Sequence, residues 1–401
     1  MATVLRRGLA AVVLVLVLAP GAGAAQVPLA TRLASALAVP GSSPRTTGAV
    51  AIDLVTGQTV FARNPDTPLA PASNEKLLVT YAALVELGSA YRFDTKILST
   101  GTQSGSVWHG NLILKGAGDP SLSSLYLLRL ATQLQKLGIR TVDGRVLGDD
   151  SYFDNVRSAP GWKPSFFLND SAPISALVVD DGTYEHHVSI NPPLAAAARL
   201  RQMLRTRGIT TGPVGVGRAP ASAVEVAHVL SPPLESIVRY MDTESDNLHA
   251  EMLLKDLGAI AGTGGTTAAG AAVVMHDLGD AEVPLAGVRV VDGSGLSSLD
   301  RVTPRALAAL LLAVWRSPEV HNVFFRALPV AGISGTLKDR LEYRPARGAV
   351  HAKTGTTDLA SALSGYVRNL FAFSVVQNGY PVSWSASRAA QDRFALALAR
   401  Q

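Results

Sequence analysis

The chain has 401 residues, of which 47% are hydrophobic and 17% charged, so it holds enough apolar side chains for a large buried core. It contains no cysteine, which excludes disulfides, thiolate catalysis and cysteine-ligated metals. The formal net charge is +5, and the 36 lysines and arginines are scattered along the chain, which argues against nucleic-acid binding.

The first 25 residues have the pattern of a secretory signal peptide. Arg6 and Arg7 form a basic start, residues 8–19 are an apolar run too short to span a bilayer comfortably, and small residues lead to a cleavage point near Ala24 or Ala25. Retention of this segment as an N-terminal anchor is the alternative. No later segment has transmembrane length, so we expect an exported protein without a transmembrane domain once the signal is cleaved.

The next elements are a β-hairpin over residues 48–64, predicted by apolar alternation around a Thr-Gly turn, and a helix from Ser73 that ends before Gly88. Ser73 and Lys76 lie three residues apart, so both point the same way from the first turn of this helix. An isolated S-x-x-K is more often a helix start beside a solvated lysine than a catalytic pair. The rest of the chain decides whether Ser73 and Lys76 are a helix start beside a solvated lysine or a catalytic pair.

Residues 92–239 differ in character from their flanks, because they mix short strands, glycine-rich turns and helices. This block lies between two mainly helical blocks, so we predict that it is one or more inserted accessory domains of α/β type. Residues 26–91 and 240–401 then form the main domain. Near its end, three runs over residues 348–379 predict an antiparallel meander, and a helix over residues 387–399 closes the chain.

Two further motifs follow the S-x-x-K: S-D-N at residues 245–247, in a loop before a helix, and K-T-G at residues 353–355, at the end of a strand. A serine hydrolase with a lysine base needs a hydroxyl beside an amine that can be neutral. It also needs a second hydroxyl to relay a proton, an amide to hold substrate and a cation for a substrate carboxylate. The order of the three motifs is far more specific than any one of them.

These motifs resemble those of the serine-type D-Ala-D-Ala carboxypeptidases/endopeptidases, the low-molecular-mass class C penicillin-binding proteins with a large inserted domain. The matching stretches are PASNEKLLVT, LKGAGDPSL, ESDNLHAEMLLK, VDGSGLSSLDRVTP, PVAGISGTL and HAKTGTT. The resemblance implies an α+β, penicillin-recognising serine acyltransferase fold of the β-lactamase/D,D-peptidase kind. Such a fold has a five-stranded antiparallel sheet with flanking helices and a helical subdomain, here joined by the inserted α/β accessory domain or domains.

Residue chemistry and the resemblance imply the same catalytic roles. Ser73 Oγ attacks the carbonyl of the penultimate D-Ala and forms an acyl-enzyme, with Lys76 as general base. Burial and the nearby charge of Lys353 are expected to lower the pKa of Lys76. Ser245 passes the proton to the leaving amine. The backbone N–H groups of Ser73 and Thr356 form the oxyanion hole.

The remaining motif residues are expected to bind substrate. Asn247 holds the amide on the acyl side of the scissile bond, while Lys353 and Thr354 bind the terminal carboxylate. Gly355 leaves room for substrate against the strand, and Thr356 contacts it from the strand end. No cofactor is implied.

Glu75 stands where such proteins often carry a neutral residue. A carboxylate that faced inward beside Lys76 would raise the pKa of the lysine and oppose its work as a base. Because adjacent helix residues point in well-separated directions, we expect Glu75 to face solvent.

For the histidines and one aspartate, we favour structural roles over catalysis or metal binding. His351 lies on the same strand face as the K-T-G lysine, where a structural role is more common than contact with substrate. His109 and the pair at residues 186–187 have no partner at metal-ligand spacing, so we expect no metal. Asp292, in the V-D-G-S-G stretch, is a candidate for organising a loop beside the cleft.

Three functions stay open at this point. The first is a D,D-peptidase acting on peptidoglycan stem peptides in the periplasm or extracytoplasmic cell-wall space, as a carboxypeptidase or an endopeptidase, with β-lactam antibiotics as covalent inhibitors. The second is a serine β-lactamase, which is less favoured because no separate carboxylate-bearing loop is evident for activating water. The third is a catalytically inactive cell-wall-binding protein.

Overall fold

The computed structural model describes residues 27–401. The predicted signal segment, residues 1–25, lies outside this part of the chain. Among the described residues, no helix combines the length and the apolar character that crossing a membrane requires.

The helices of residues 27–401 are α1 (Leu29–Ala36), α2 (Glu75–Leu87), α3 (Ser124–Lys136), α4 (Pro192–Thr206), α5 (Leu234–Glu244), α6 (Asn247–Ile260), α7 (Thr267–Asp280), α8 (Pro304–Arg316), α9 (His321–Ala327) and α10 (Trp384–Ala399). The strands are β1 (Thr47–Asp53), β2 (Thr59–Arg63), β3 (Asp94–Ser99), β4 (Thr102–Ser104), β5 (Val107–His109), β6 (Leu112–Lys115), β7 (Thr141–Val142), β8 (Val146–Asp149), β9 (Thr183–Tyr184), β10 (His187–Val188), β11 (Thr210–Thr211), β12 (Val214–Val216), β13 (Val224–Leu230), β14 (Val350–Thr356), β15 (Ala360–Val367) and β16 (Phe371–Asn378).

The principal sheet has five strands in the order β14-β15-β16-β1-β2, and every neighbouring pair is antiparallel. Helices α1 and α10 pack on one face and α8 on the other, so β15 and β16 are buried on both sides. The turn between these strands, Arg368-Asn369, has both residues at positive φ, as a two-residue hairpin requires. The predicted hairpin, meander and five-stranded antiparallel sheet are confirmed.

A helical layer supports the opposite side of the site. Helices α2, α5, α6 and α7 contribute to one large apolar cluster, together with α8 and α9. Helix α2 is buried almost all round, because α5, α6 and α7 all pack against it. The residues that begin α2 and α6 are therefore fixed at the boundary between this helical layer and the sheet.

The segment between β3 and β13 builds sheets of its own. One has the order β12-β8-β6-β3-β13 and the other β11-β7-β5-β4, and both mix parallel with antiparallel pairs. Helices α3 and α4 pack against them around a separate apolar cluster. Helix α5 follows, and its first turn packs in the main helical cluster instead.

Candidate active site

Ser73 lies on a short 3-10 turn, Ala72–Asn74, that leads into α2. The α-helix predicted to start at Ser73 thus begins two residues later, at Glu75, and the serine occupies the tighter turn before it. The side-chain amide of Asn74 donates to the carbonyl oxygen of Lys353 at 3.0 Å. This bond attaches the turn that carries Ser73 to strand β14.

Lys76 is fully buried, and its ammonium group has three acceptors. Nζ donates to Ser73 Oγ at 3.1 Å, to Asn247 Oδ1 at 2.8 Å and to the carbonyl oxygen of Ser294 at 2.9 Å. Burial lowers the pKa of Lys76 to about 8, against the opposing effect of nearby carboxylates. A neutral amine beside the serine hydroxyl is therefore accessible near neutral pH.

Ser245 and Lys353 form a second serine–lysine pair. Ser245 ends helix α5 in the left-handed conformation, with φ 63, which turns its side chain toward strand β14. Lys353 Nζ donates to Ser245 Oγ at 2.8 Å. Burial, and then the charge of Lys76, lower the pKa of Lys353 to about 7. The two lysines are thus electrostatically linked.

Asn247 begins α6, directly after the N-cap residue Asp246. While its Oδ1 accepts from Lys76, its Nδ2 donates to the carbonyl oxygen of Asp170 at 2.7 Å. Asp170 belongs to the segment between β3 and β13. Sequence reasoning missed this contact, because the two residues are 77 positions apart and the acceptor is a backbone atom.

Strand β14 lies against the turn that carries Ser73 without a side chain between them. A Cβ at Gly355 would come within 3.0 Å of Ser73 N and 2.9 Å of Pro71 O. Both are backbone atoms that cannot move aside cheaply, so only glycine fits this approach. Thr356, the next residue, ends the strand and is exposed.

A second hydroxyl accompanies the K-T-G strand. Thr354 Oγ1 donates to Thr336 Oγ1 at 2.7 Å, and Thr336 is exposed beside the strand. Thr336 lies in the PVAGISGTL stretch, which the resemblance matched without assigning a residue. A hydroxyl pair next to the ammonium of Lys353 suits recognition of a carboxylate.

The loop of residues 292–297, here called the DGSG loop, brings the Ser294 carbonyl to Lys76. Asp292 is fully buried and accepts from the backbone N–H groups of Gly295 and Ser297, both at 2.7 Å. It also accepts from Trp162 Nε1 at 2.8 Å, another contact from the segment between β3 and β13. These bonds agree with the expectation that Asp292 organises a loop.

Glu251, in helix α6, holds the other side of the DGSG loop. It is fully buried, and its Oε1 accepts from the N–H groups of Gly293 at 3.0 Å and Ser294 at 2.8 Å. Burial, and then the charge of Asp292, raise the pKa of Glu251 to about 8. Sequence reasoning missed this residue, although it lies in the matched stretch ESDNLHAEMLLK.

The expectation that Glu75 faces solvent is wrong. Its side chain is fully buried, and neither carboxylate oxygen has a hydrogen-bond partner within residues 27–401. The DGSG loop covers it, since the Cβ position of Gly295 lies 3.1 Å from Glu75 Cβ. Burial, and then the charges of Asp292 and Glu251, raise the pKa of Glu75 well above its usual range. A neutral acid adds no charge beside Lys76, so it does not raise the pKa of the lysine.

His351 has structural surroundings. Its ring stacks on Phe325 with centroids 4.2 Å apart, and burial lowers its pKa. Within the described part of the chain, one trio has metal-ligand proximity: Asp94, Glu225 and His228. Lys96 Nζ already bonds both of these carboxylates, at 3.2 and 2.9 Å.

The fold and the three converging motifs are those of the penicillin-recognising serine peptidases. Residues 29–193 and 187–401 match the sequence profile of the D-Ala-D-Ala carboxypeptidase 3 (S13) family. The chain belongs to this family, which confirms the resemblance and the predicted class of serine D,D-peptidase.

Individual relatives agree with the family match. A D-alanyl-D-alanine carboxypeptidase of Actinomadura sp. (strain R39) is 31% identical over 95% of this chain and 86% of its own. A carboxypeptidase of Mycobacterium tuberculosis is 32% identical over 86% of this chain and 78% of its own. Penicillin-binding protein 4 of Haemophilus influenzae, a solved structure, superposes with a TM-score of 0.80 at 23% identity and covers 93% of this chain and 98% of its own. That superposition supports the fold.

Proposed function

We propose that this protein is an exported serine D,D-peptidase that removes the terminal D-Ala from peptidoglycan stem peptides through an acyl-enzyme on Ser73. One observation carries the proposal. A buried lysine amine lies 3.1 Å from the Ser73 hydroxyl, while a second buried lysine, Lys353, flanks it on strand β14. A hydroxyl next to an amine of lowered pKa is an activated nucleophile, and a nearby cation selects a substrate with a free carboxylate.

Acylation follows from these positions. As Ser73 Oγ bonds to the carbonyl carbon of the penultimate D-Ala, its proton passes to neutral Lys76 Nζ. The carbonyl oxygen becomes negative and is held by the N–H groups of Ser73 and Thr356, one of them at the start of a helical turn. The C–N bond then breaks as Ser245 relays the proton from Lys76 to the departing amine, which returns Lys76 to its neutral form. Water later hydrolyses the ester and regenerates the Ser73 hydroxyl.

Substrate binding prepares the base. The terminal carboxylate pairs with Lys353 and the Thr354 hydroxyl, which favours the charged form of Lys353. Because the charges of Lys353 and Lys76 oppose each other, a proton held firmly on one disfavours a proton on the other. Carboxylate binding thus leaves Lys76 neutral and ready to accept the Ser73 proton.

Two groups outside the motifs complete the site. Glu251 is a positioning residue: through the N–H of Ser294 it aims the carbonyl of that residue at Lys76. The segment over residues 92–239 is an inserted accessory unit whose Trp162 and Asp170 contact the DGSG loop and Asn247. We assign these contacts the role of bracing the crevice.

Cleavage of a D-Ala–diamino acid cross-link uses the same machinery, because the residue after the scissile bond again carries a free carboxylate. Incubation with a peptide ending in D-Ala-D-Ala and with a cross-linked stem dimer separates carboxypeptidase from endopeptidase action. Release of D-Ala from the first, absent in Ser73→Ala, is the expected result. No release from either substrate by the wild-type protein would refute the proposal.

β-Lactams are proposed as covalent inhibitors, because their ring carbonyl and carboxylate present the same two groups to Ser73 and Lys353. The proposed peptidase and the two alternative functions give three different results with such compounds. A β-lactamase turns over nitrocefin rapidly, whereas a peptidase holds a long-lived penicilloyl ester. An inactive wall-binding protein does neither, so a fluorescent penicillin fails to label it.

A further inference from the structure

Asp242 is a fully buried carboxylate that the mechanism above does not use. It lies in the last turn of α5, three residues before Ser245, so the two side chains share one face of that helix. Its Oδ2 accepts from the hydroxyl of Thr80, on α2, at 2.7 Å. Its Oδ1 is buried without a hydrogen-bond partner among residues 27–401. One neutral hydroxyl compensates poorly for a buried charge, so an ionised Asp242 requires a cation nearby.

The bond to Thr80 places Asp242 next to the catalytic lysines. Thr80 follows Lys76 by four residues, so it lies one turn further along the same face of α2. The carboxylate is therefore one helical turn from Lys76 on one side and from Ser245, the partner of Lys353, on the other. Burial raises the pKa of Asp242 to about 6, against the opposing charges of Lys353 and Lys76. The carboxylate is thus mostly ionised at neutral pH.

The charge of Asp242 acts more selectively on Lys353 than on Lys76. Burial, and then the charge of Lys76, lower the pKa of Lys353, and Asp242 is the carboxylate that opposes them. Four carboxylates oppose the effect of burial on the pKa of Lys76, in decreasing order Asp246, Asp292, Glu251 and Asp242. Loss of the Asp242 charge therefore disfavours a proton on Lys353 more than a proton on Lys76.

Lys353 needs its proton in order to bind substrate. Its Nζ donates to Ser245 Oγ at 2.8 Å and to the carbonyl oxygen of Thr354 at 3.2 Å, which leaves the third N–H of the ammonium group for a substrate carboxylate. That hydrogen bond is strong only when the amine is charged. We propose that Asp242 is the buried counter-charge that keeps Lys353 protonated before substrate arrives, so that the amine captures a free carboxylate. Because Asp242 acts through Lys353, it is a positioning residue; its part in catalysis, unlike the charge coupling itself, rests on the proposed function.

The direct test is an NMR titration of Lys353 in Ser73→Ala protein that carries isotope-labelled lysine, with the signal assigned by its absence from Lys353→Arg. Asp242→Asn keeps the size and an acceptor oxygen of the side chain but removes the charge, and should move the Lys353 midpoint roughly one pH unit lower. Thr80→Val removes a hydrogen bond that favours the ionised form of Asp242, and should move the midpoint the same way by less. Asp256→Asn, the same change at a fully buried aspartate of α6, should leave the midpoint in place.

Peptide hydrolysis gives a second measurement. In Asp242→Asn, the KM for a peptide ending in D-Ala-D-Ala should rise about tenfold near neutral pH, and the alkaline fall of kcat/KM should begin roughly one pH unit lower. The kcat should stay within about threefold of wild type, because a bound carboxylate keeps Lys353 charged in both proteins.

The titration decides the charge coupling even if the wild type releases no D-Ala, a result that would refute the proposed function instead. A Lys353 midpoint that is the same in wild type, Asp242→Asn and Thr80→Val would overturn the inference. So would an Asp242→Asn enzyme with the wild-type KM and pH profile, because a merely structural role for the Thr80 contact predicts both.

Discussion

Substitutions of Glu251 test whether this residue positions the catalytic lysine. Glu251→Ala removes the acceptor of the Gly293 and Ser294 N–H groups, and so frees the carbonyl that accepts from Lys76. Glu251→Gln keeps an oxygen in place. It also mimics the neutral acid that predominates at pH 7, since burial, and then the charge of Asp292, raise the pKa of Glu251 to about 8. One variant therefore removes hydrogen bonds, whereas the other preserves them.

The expected magnitudes follow from those bonds. Two buried N–H groups left without an acceptor cost about 1–3 kcal/mol each, so Glu251→Ala should lower the free energy of unfolding by about 2–6 kcal/mol. Losing one hydrogen bond to a charged group is worth about 1.5–3 kcal/mol, which corresponds to roughly 10- to 150-fold slower acylation of Ser73. Glu251→Gln should acylate within about threefold of wild type, because both accepted bonds persist.

The assay is the second-order rate constant for labelling by a fluorescent penicillin, measured across the neutral and alkaline range, with urea unfolding alongside. The Ser294 carbonyl and a charged Glu251 both favour the ammonium form of Lys76, so their loss should move the pH profile of Glu251→Ala to lower pH. Ser175→Ala removes a buried hydroxyl bonded to Asp150 at 2.8 Å, and should lower stability without moving that profile. A Glu251→Ala protein with the wild-type rate and pH profile would refute the positioning role.

Two further predictions address the base and the strand. With saturating peptide, whose carboxylate keeps Lys353 charged, acylation should rise with pH and level off below about pH 8, because the reactive form of Lys76 is the neutral one and the charge of Lys353 disfavours its protonation; a rate that falls from pH 6 to 8 contradicts this. Gly355→Ala should slow acylation at least about tenfold, since the new Cβ would sit 3.0 Å from Ser73 N. Gly279→Ala, where the nearest atom is 3.6 Å from the added Cβ, is the matched control and should acylate normally.

Much of this arrangement was predictable from the sequence. The order and spacing of S-x-x-K, S-D-N and K-T-G indicated which residues meet, because each motif begins or ends an element that the apolar pattern also predicts. The alternation in β15 and β16 is weak, since both faces are buried, yet the three runs over residues 348–379 still predicted the meander. The five-stranded sheet followed from the family resemblance.

The supporting contacts were not predictable in the same way. Glu75 was expected to face solvent because adjacent helix residues point in well-separated directions, whereas the first turns of α2 are buried almost all round and the acid is neutral in its buried place. Glu251 acts through backbone N–H groups, and Trp162 and Asp170 reach the site from a distant segment. Spacing along the chain carries no information on such long-range packing.

The account rests on Ser73 being the nucleophile of an acyl-enzyme. Intact-mass measurement after benzylpenicillin, followed by peptide mapping, tests this directly. We expect one penicilloyl group per wild-type chain, located on the peptide that contains Ser73, and none on Ser73→Ala. An unmodified wild-type protein, or an adduct that persists in Ser73→Ala, would contradict the account.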